Sequence, residues 1–148
     1  MAALCEDLRY FMEAVDSLVD YTMVYDVGPR AVRVLQEKIE SEVYQKYTPK
    51  GYERKREDHG LIDPREIDVR YESPLKTLHV QSVRDDWEPT MRKHEGRNVA
   101  DVVESGDGYD WASVKPRPFH KPAEIEMVKE ADKILNTAMD VNLSNWEW

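Results

Sequence analysis

The chain has 148 residues, a mass of 17.4 kDa and 41% hydrophobic residues, enough for one domain with its own core and too little for two. Its one cysteine, Cys5, excludes an internal disulfide framework. No apolar run approaches the roughly 20 residues of a membrane-spanning helix, and no basic segment followed by an apolar one opens the chain, so a soluble protein without a secretion signal is expected. The 21 Lys and Arg against 30 Asp and Glu give a net charge of −9, which argues against a dedicated DNA binder. Residues 1–26 hold six acids and one base, and residues 122–148 hold six acids and two bases, so 27–121 sums to zero. The negative field lies on the two ends.

Leu4, Leu8, Phe11, Met12, Val15, Leu18 and Val19 recur at helical spacing between Glu6, Asp7, Glu13 and Asp16, which predicts an amphipathic N-terminal helix. From Tyr21 to Val27, Tyr21, Met23, Tyr25 and Val27 alternate as a strand would. Gly28 and Pro29 punctuate the chain, and Pro29 suits the first position of a second helix whose stripe is Val32, Leu35, Ile39, Val43 and Tyr47. That helix should end by Tyr47 or Thr48, before Pro49. After a charged loop from Lys50 to His59 and a turn at Gly60 to Pro64, Ile67, Val69 and Tyr71 alternate with Asp68, Arg70 and Glu72, the pattern of a half-buried strand. Ser73 and Pro74 break it, and a second strand from about Leu75 to Val83 predicts an antiparallel hairpin. The stretch from Arg84 to Asn98 is expected as a long solvent-facing loop of the kind that carries function. Val99 to Glu104 forms a short strand or a turn of helix. An extended Gly- and Pro-rich connection leads to a last helix starting near Pro122, with Met127, Val128, Ala131, Ile134, Leu135 and Ala138 as its apolar face and Glu124 and Glu126 in its first turn. A polar tail follows Asp140. The expected fold is α+β, a small antiparallel sheet packed against a long helix and a C-terminal helix, divided into an acidic helical arm (1–27), the main domain (28–140) and a tail (141–148).

Chemistry leaves few traces. His59, His79, His94 and His120 lack the spacing of a zinc site, and Cys5 has no sequence partner. The oxygen-rich turn from Glu104 to Asp110 lacks the ligand order of a helix–loop–helix calcium site. Gly106 and Gly108 make a G-x-G with neither the strand nor the helix that phosphate binding requires. No local signature pairs a nucleophilic Ser or Cys with a His, so the chain is read as no enzyme, with no cofactor and no metal. Asn142-Leu143-Ser144 matches a glycosylation acceptor, which has no meaning without a secretory route. Tyr47 and Tyr52 stand among Lys46, Lys50, Arg54, Lys55 and Arg56 as in a nucleic-acid groove, but Glu53, Glu57 and Asp58 offset much of that charge. Trp146 and Trp148 suit an anchor for another chain or fold back on their own domain.

Two stretches carry a resemblance. Val43-Tyr44-Gln45-Lys46-Tyr47-Thr48-Pro49-Lys50-Gly51-Tyr52-Glu53-Arg54-Lys55, followed by His59-Gly60-Leu61-Ile62-Asp63, resembles the Val-Tyr-x-x-Tyr-x-Pro-x-x-Tyr-x-Arg-Arg and Gly-Gly-Leu-x-Asp pattern of tail-completion proteins of tailed bacteriophages. Val103-Glu104-Ser105-Gly106 is similar to that family's strand end, and Arg117-Pro118-Phe119-x-x-Pro122-Ala123 to its entry into the last helix. The likeness covers roughly residues 29–138. Lys55 stands where the pattern prefers Arg, and His59 where it prefers Gly. The resemblance implies a tail-terminator or head–tail joining protein: a structural virion component, assembled in the host bacterial cytoplasm, that forms a typically six-fold ring at the neck between head connector and tail tube. Its partners would be further copies of itself, the connector or stopper and the tube protein, with double-stranded DNA passing through unbound and no membrane involved.

The neutral, charge-dense middle suits a ring subunit that meets neighbours on two sides. The partner-contact residues expected are Tyr47, Tyr52, Arg54, Lys55 and Arg56 on the first charged loop, Trp87, Arg92 and Lys93 on the second, Arg117 and Phe119 at the Pro-Phe junction, and Trp146 and Trp148. The rival readings are another virion part (adaptor, stopper or minor capsid protein), a cytosolic protein-binding module whose acidic ends imitate nucleic acid, and a nucleic-acid protein using the Lys50 to Arg56 loop.

Overall fold

A computed structural model describes residues 2–46, 56–84, 98–106 and 115–145, with side chains from Glu6 onward. Helix α1 (Ala2–Thr22) passes into a π turn (Met23–Val27), helix α2 (Gly28–Ile39) and a second π turn (Glu40–Tyr44) without leaving helical backbone angles. At about 1.5 Å per residue this is roughly 60 Å of unbroken helix. The expected break at Gly28 is absent, and Pro29 explains how. Proline has no N–H to bond back along the helix, and its ring collides with the carbonyl four residues before it. Widening the turn removes that collision, and the Gly28 N–H bonds the Met23 carbonyl five residues back.

The strand-like alternation over Tyr21 to Val27 therefore belongs to helix, within the helical arm expected for residues 1–27. Met23 and Val27 are buried while Tyr21 and Tyr25 face solvent, with the two tyrosine rings 4.7 Å apart. Residue types alternate by two, but burial repeats by four.

Asp63 caps a 3-10 turn (Pro64–Glu66) by accepting the Arg65 N–H, and the chain enters strand β1 (Ile67–Glu72). A 3-10 turn (Ser73–Leu75) and Lys76, at φ 50, lead into strand β2 (Thr77–Ser82). The two strands pair antiparallel from Ile67↔Ser82 to Glu72↔Thr77. This is the expected hairpin, shortened at its start because Leu75 lies in the turn and stays exposed.

Val99–Ser105 is helix α3, which decides between the strand and helix alternatives. The Asn98 side chain accepts the Ala100 N–H at 2.8 Å, an N-cap that satisfies one orphan donor, and Gly106 closes the helix at φ 73. The Val-Glu-x-Gly stretch is thus a helix end rather than a strand end. Helix α4 (His120–Leu143) begins before Pro122, which takes a first-turn position where a missing N–H costs nothing. Glu124 and Glu126 fall beyond that first turn, and the helix runs past Asp140.

The α+β architecture is as expected. Val34, Leu35, Ile39 and Val43 of the long helix meet Leu61, Ile67, Val99, Ala100, Val103, Phe119 and Ala123 in one core. Arg30 reaches Glu130 at 2.8 Å and Lys38 reaches Glu126 at 2.5 Å, so α4 is tied along α2. Beyond Ala123 no residue of α4 is fully buried.

Candidate functional site

Two loop junctions position the residues singled out in the sequence. In the first, Asp63 is 1% exposed and accepts the His59 N–H at 2.8 Å, the Arg65 N–H at 2.9 Å and the Arg65 guanidinium at 2.6 Å. The Arg65 side chain foremost, then these backbone donors, hold its carboxyl well below the usual range against the opposing effect of burial. The Tyr44 hydroxyl accepts the Leu61 N–H at 3.1 Å, and Gln36 donates to the Ile62 carbonyl at 2.7 Å. The Gly-Leu-x-Asp stretch is thereby docked on the long helix. His59 has φ 55, a backbone conformation that suits glycine, which accounts for the glycine the resembling pattern prefers there.

In the second junction the two later motifs meet. The Arg117 N–H donates to the Val103 carbonyl at 3.2 Å, and Glu104 Oε1 accepts the N–H groups of Phe119 (2.8 Å) and His120 (2.6 Å). A carboxylate from α3 thus caps α4, where the helix dipole favours negative charge. Burial raises the Glu104 pKa, but the backbone donors and the His120 ring outweigh it and leave it lowered. Glu104 Oε2 lies 3.1 Å from His120 Nδ1, and His120 Nε2 accepts the Ser82 N–H at 3.2 Å. That pair of partners assigns a neutral ring with its proton on Nδ1.

Between these junctions and the first helices lies a groove of about 730 Å³, within the range of ligand clefts. Met23, Val27, Ala31 and Leu35, all buried, form its floor, Met127, Val128 and Ala131 of α4 one wall, and β2 with Lys76 the other. Lys76 is held by Asp16 (2.7 Å) and Asp20 (2.6 Å), and Asp20 also accepts from Tyr71 and Ser73, each at 2.7 Å. Lys76, Tyr71 and Ser73 lower Asp20 to about 2, while burial and then Asp20 raise Tyr71 to about 12. This cluster pins the hairpin turn to α1. Among the described residues no group of three or more His, Cys, Asp or Glu could hold a metal, and no helix is long and apolar enough to cross a membrane.

Of the expected contact residues, Arg56 bonds Glu40 at 2.6 Å and lies over the Tyr44 ring at 5.0 Å. Arg117 is half-buried at the second junction. Phe119 is a correction: at 0% exposure it is a core residue, since the Pro-Phe junction turns inward where α3 and α4 meet, and it offers no surface to a partner. Tyr47, Tyr52, Arg54, Lys55, Trp87, Arg92, Lys93, Trp146 and Trp148 lie outside the described residues, as does most of the Arg84 to Asn98 loop. Sequence reasoning missed another surface. Leu8, Tyr10, Met12, Tyr21, Val24 and Tyr25 on the first helices are exposed, as are Ile125 and Val128 on α4. The signal was present: with Tyr10, Tyr21 and Tyr25 added, the apolar positions of the N-terminal helix outnumber those one buried stripe can hold.

No curated protein and no solved structure matches the chain. The YomN family matches it over residues 7–145, a span that holds all but the first residues of the long helix, both junctions, the hairpin and α4. The chain belongs to the YomN family, a phage-associated one.

Proposed function

We propose that the chain is a non-enzymatic structural protein of a tailed-phage virion, forming a ring at the neck that completes the tail tube and joins it to the head connector. The observation that carries this reading is the arm made by α1 and the second half of α4. Leu8 is 58% exposed, Tyr10 59%, Met12 63% and Val141 56%, an apolar surface of the kind that marks contact with other chains. Ring closure presents such a surface to a neighbouring copy at every position. The phage association of the family and the resemblance carried by the two junctions support the virion setting. The acidic arm would keep a ring lumen unattractive to phosphate, so that DNA slides rather than sticks.

Immunogold labelling of particles from the source lysate tests the reading. Label at the head–tail junction is the expected result. Label on the shell or the tail tip would make the chain another virion part. Unlabelled intact and disrupted particles, with the protein present in infected cells, would overturn the structural role and favour a cytosolic binding module.

A further inference from the structure

The hydrogen-bond parity of the hairpin shows what the groove lacks. The Val83 N–H bonds the Glu66 carbonyl at 2.8 Å, and in the observed register this makes Asp68↔Gln81, Arg70↔His79 and Glu72↔Thr77 the hydrogen-bonded pairs. The backbone groups of Leu78, Val80 and Ser82 therefore point away from β1. Ser82 confirms this, because its N–H goes to His120 and its carbonyl accepts from Asn98 at 2.9 Å. Leu78 and Val80 have no such partners among the described residues. Their outward N–H and C=O groups run along the β2 wall of the groove, opposite α4 and above the apolar floor of Met23, Val27, Ala31 and Leu35.

We infer that this edge takes an extended segment of a partner polypeptide as a third strand, apolar at alternate positions and flanked by Lys or Arg. Only another main chain supplies donors and acceptors at strand spacing, and alternate side chains then meet the apolar floor. A groove closed by α4 on the side opposite β2 admits one strand rather than a second folded copy of the hairpin. The charges choose the segment. At one end Lys76 faces both Asp16 and Asp20; at the other Lys121 is paired with Glu124, and Glu104 faces the neutral His120. Among the described residues each end carries one carboxylate beyond its cations, and the β2 wall between carries none. An acidic segment is repelled at both ends, and a basic-flanked one is matched. The other edge of the sheet, on β1, borders no part of this groove. The inference goes beyond the neck role and holds wherever the chain resides.

The test is a titration of the full chain with a blocked heptapeptide, Lys-Val-Thr-Val-Thr-Val-Lys, followed by amide exchange in NMR. In the free protein the Leu78 and Val80 amides should exchange quickly while those of His79 and Gln81 are protected, and the peptide should slow the first pair. A peptide N-methylated at alternate residues, or one with Glu in place of both Lys, should bind at least about tenfold more weakly at low salt. Val80→Pro removes an outward N–H without touching the ladder, and Val128→Lys charges an exposed wall position; each should weaken binding by about tenfold or more while the hairpin signals persist. Protection of Leu78 and Val80 without peptide would mean the edge is already covered by the chain itself or by a second copy, and would overturn the inference. So would a peptide that leaves their exchange unchanged, or equal binding by the methylated form or by the folded Val128→Lys variant.

Discussion

Helix α4 takes part in two regions that bury very different amounts of surface. At its start, Phe119 and Ala123 pack against α2 and α3 with Val34, Ile39 and Ala100, none more than 5% exposed. Along its second half it lies beside α1, where no residue from Glu6 to Tyr21 is fully buried. The first region is a close-packed core of the density that makes each methylene count. In the second, an apolar stripe is only half covered. Stability is therefore concentrated at the end of the molecule where the junctions meet, and the arm is left with its apolar surface exposed, as the proposed assembly role requires.

The largest effect should come from breaking the core. Phe119→Ala should cost about 3–5 kcal/mol in urea unfolding, because a fully buried ring leaves a cavity. Next come two of the left-handed backbone positions, Gly106 and His59, which should act in opposite directions. Gly106→Ala should cost about 1–2 kcal/mol by placing a side chain at φ 73, whereas His59→Gly should gain up to about 1 kcal/mol by relieving φ 55. Asn98→Ala should cost about 1 kcal/mol through the lost cap and should free the Ser82 carbonyl, visible as a shift at Ser82 and Val83 in NMR.

The contact between the hairpin turn and α1 should weaken at both pH extremes. Asp20 falls from 3.8 to about 2 on folding, so its contribution is complete above about pH 4 and disappears as pH falls towards 2. Tyr71 rises from 10.0 to about 12, so its contribution is complete below pH 10 and is lost as pH rises through 12. Amide exchange across the hairpin should follow both limbs, and Asp20→Asn should abolish the acid one. The smallest effect belongs to the arm: Leu8→Ala and Met12→Ala should change the stability of the free chain by no more than about 0.5 kcal/mol while impairing assembly. A cost of several kcal/mol would mean that the arm is core after all.

Local patterning made the hairpin legible, because Ile67, Val69 and Tyr71 obey the period of a strand whose partner follows directly in the chain. The helices were legible from their stripes. The π turn was not, since alternation at Tyr21, Met23, Tyr25 and Val27 and the Gly28-Pro29 pair imitate a strand and a stop, and only the widened backbone reconciles them with a helix. The cap that Glu104 gives α4 and the bond from His120 to Ser82 join residues 16 and 38 positions apart, and no local pattern announces them. Phe119 illustrates the same limit, because a Phe beside two prolines has the sequence appearance of an exposed junction until α3 closes over it. The groove escaped sequence reasoning altogether, as its walls and floor come from separate elements.

The central claim is that copies of this chain meet through the α1 and α4 arm. A photo-activated cross-linker placed at Met12 in assembled particles tests it most directly. The account predicts a ladder of covalent multiples of this chain, absent when the same probe is placed at buried Phe119 or when particles are dissociated first. Adducts to other proteins alone, with no multiples of the chain, would contradict it.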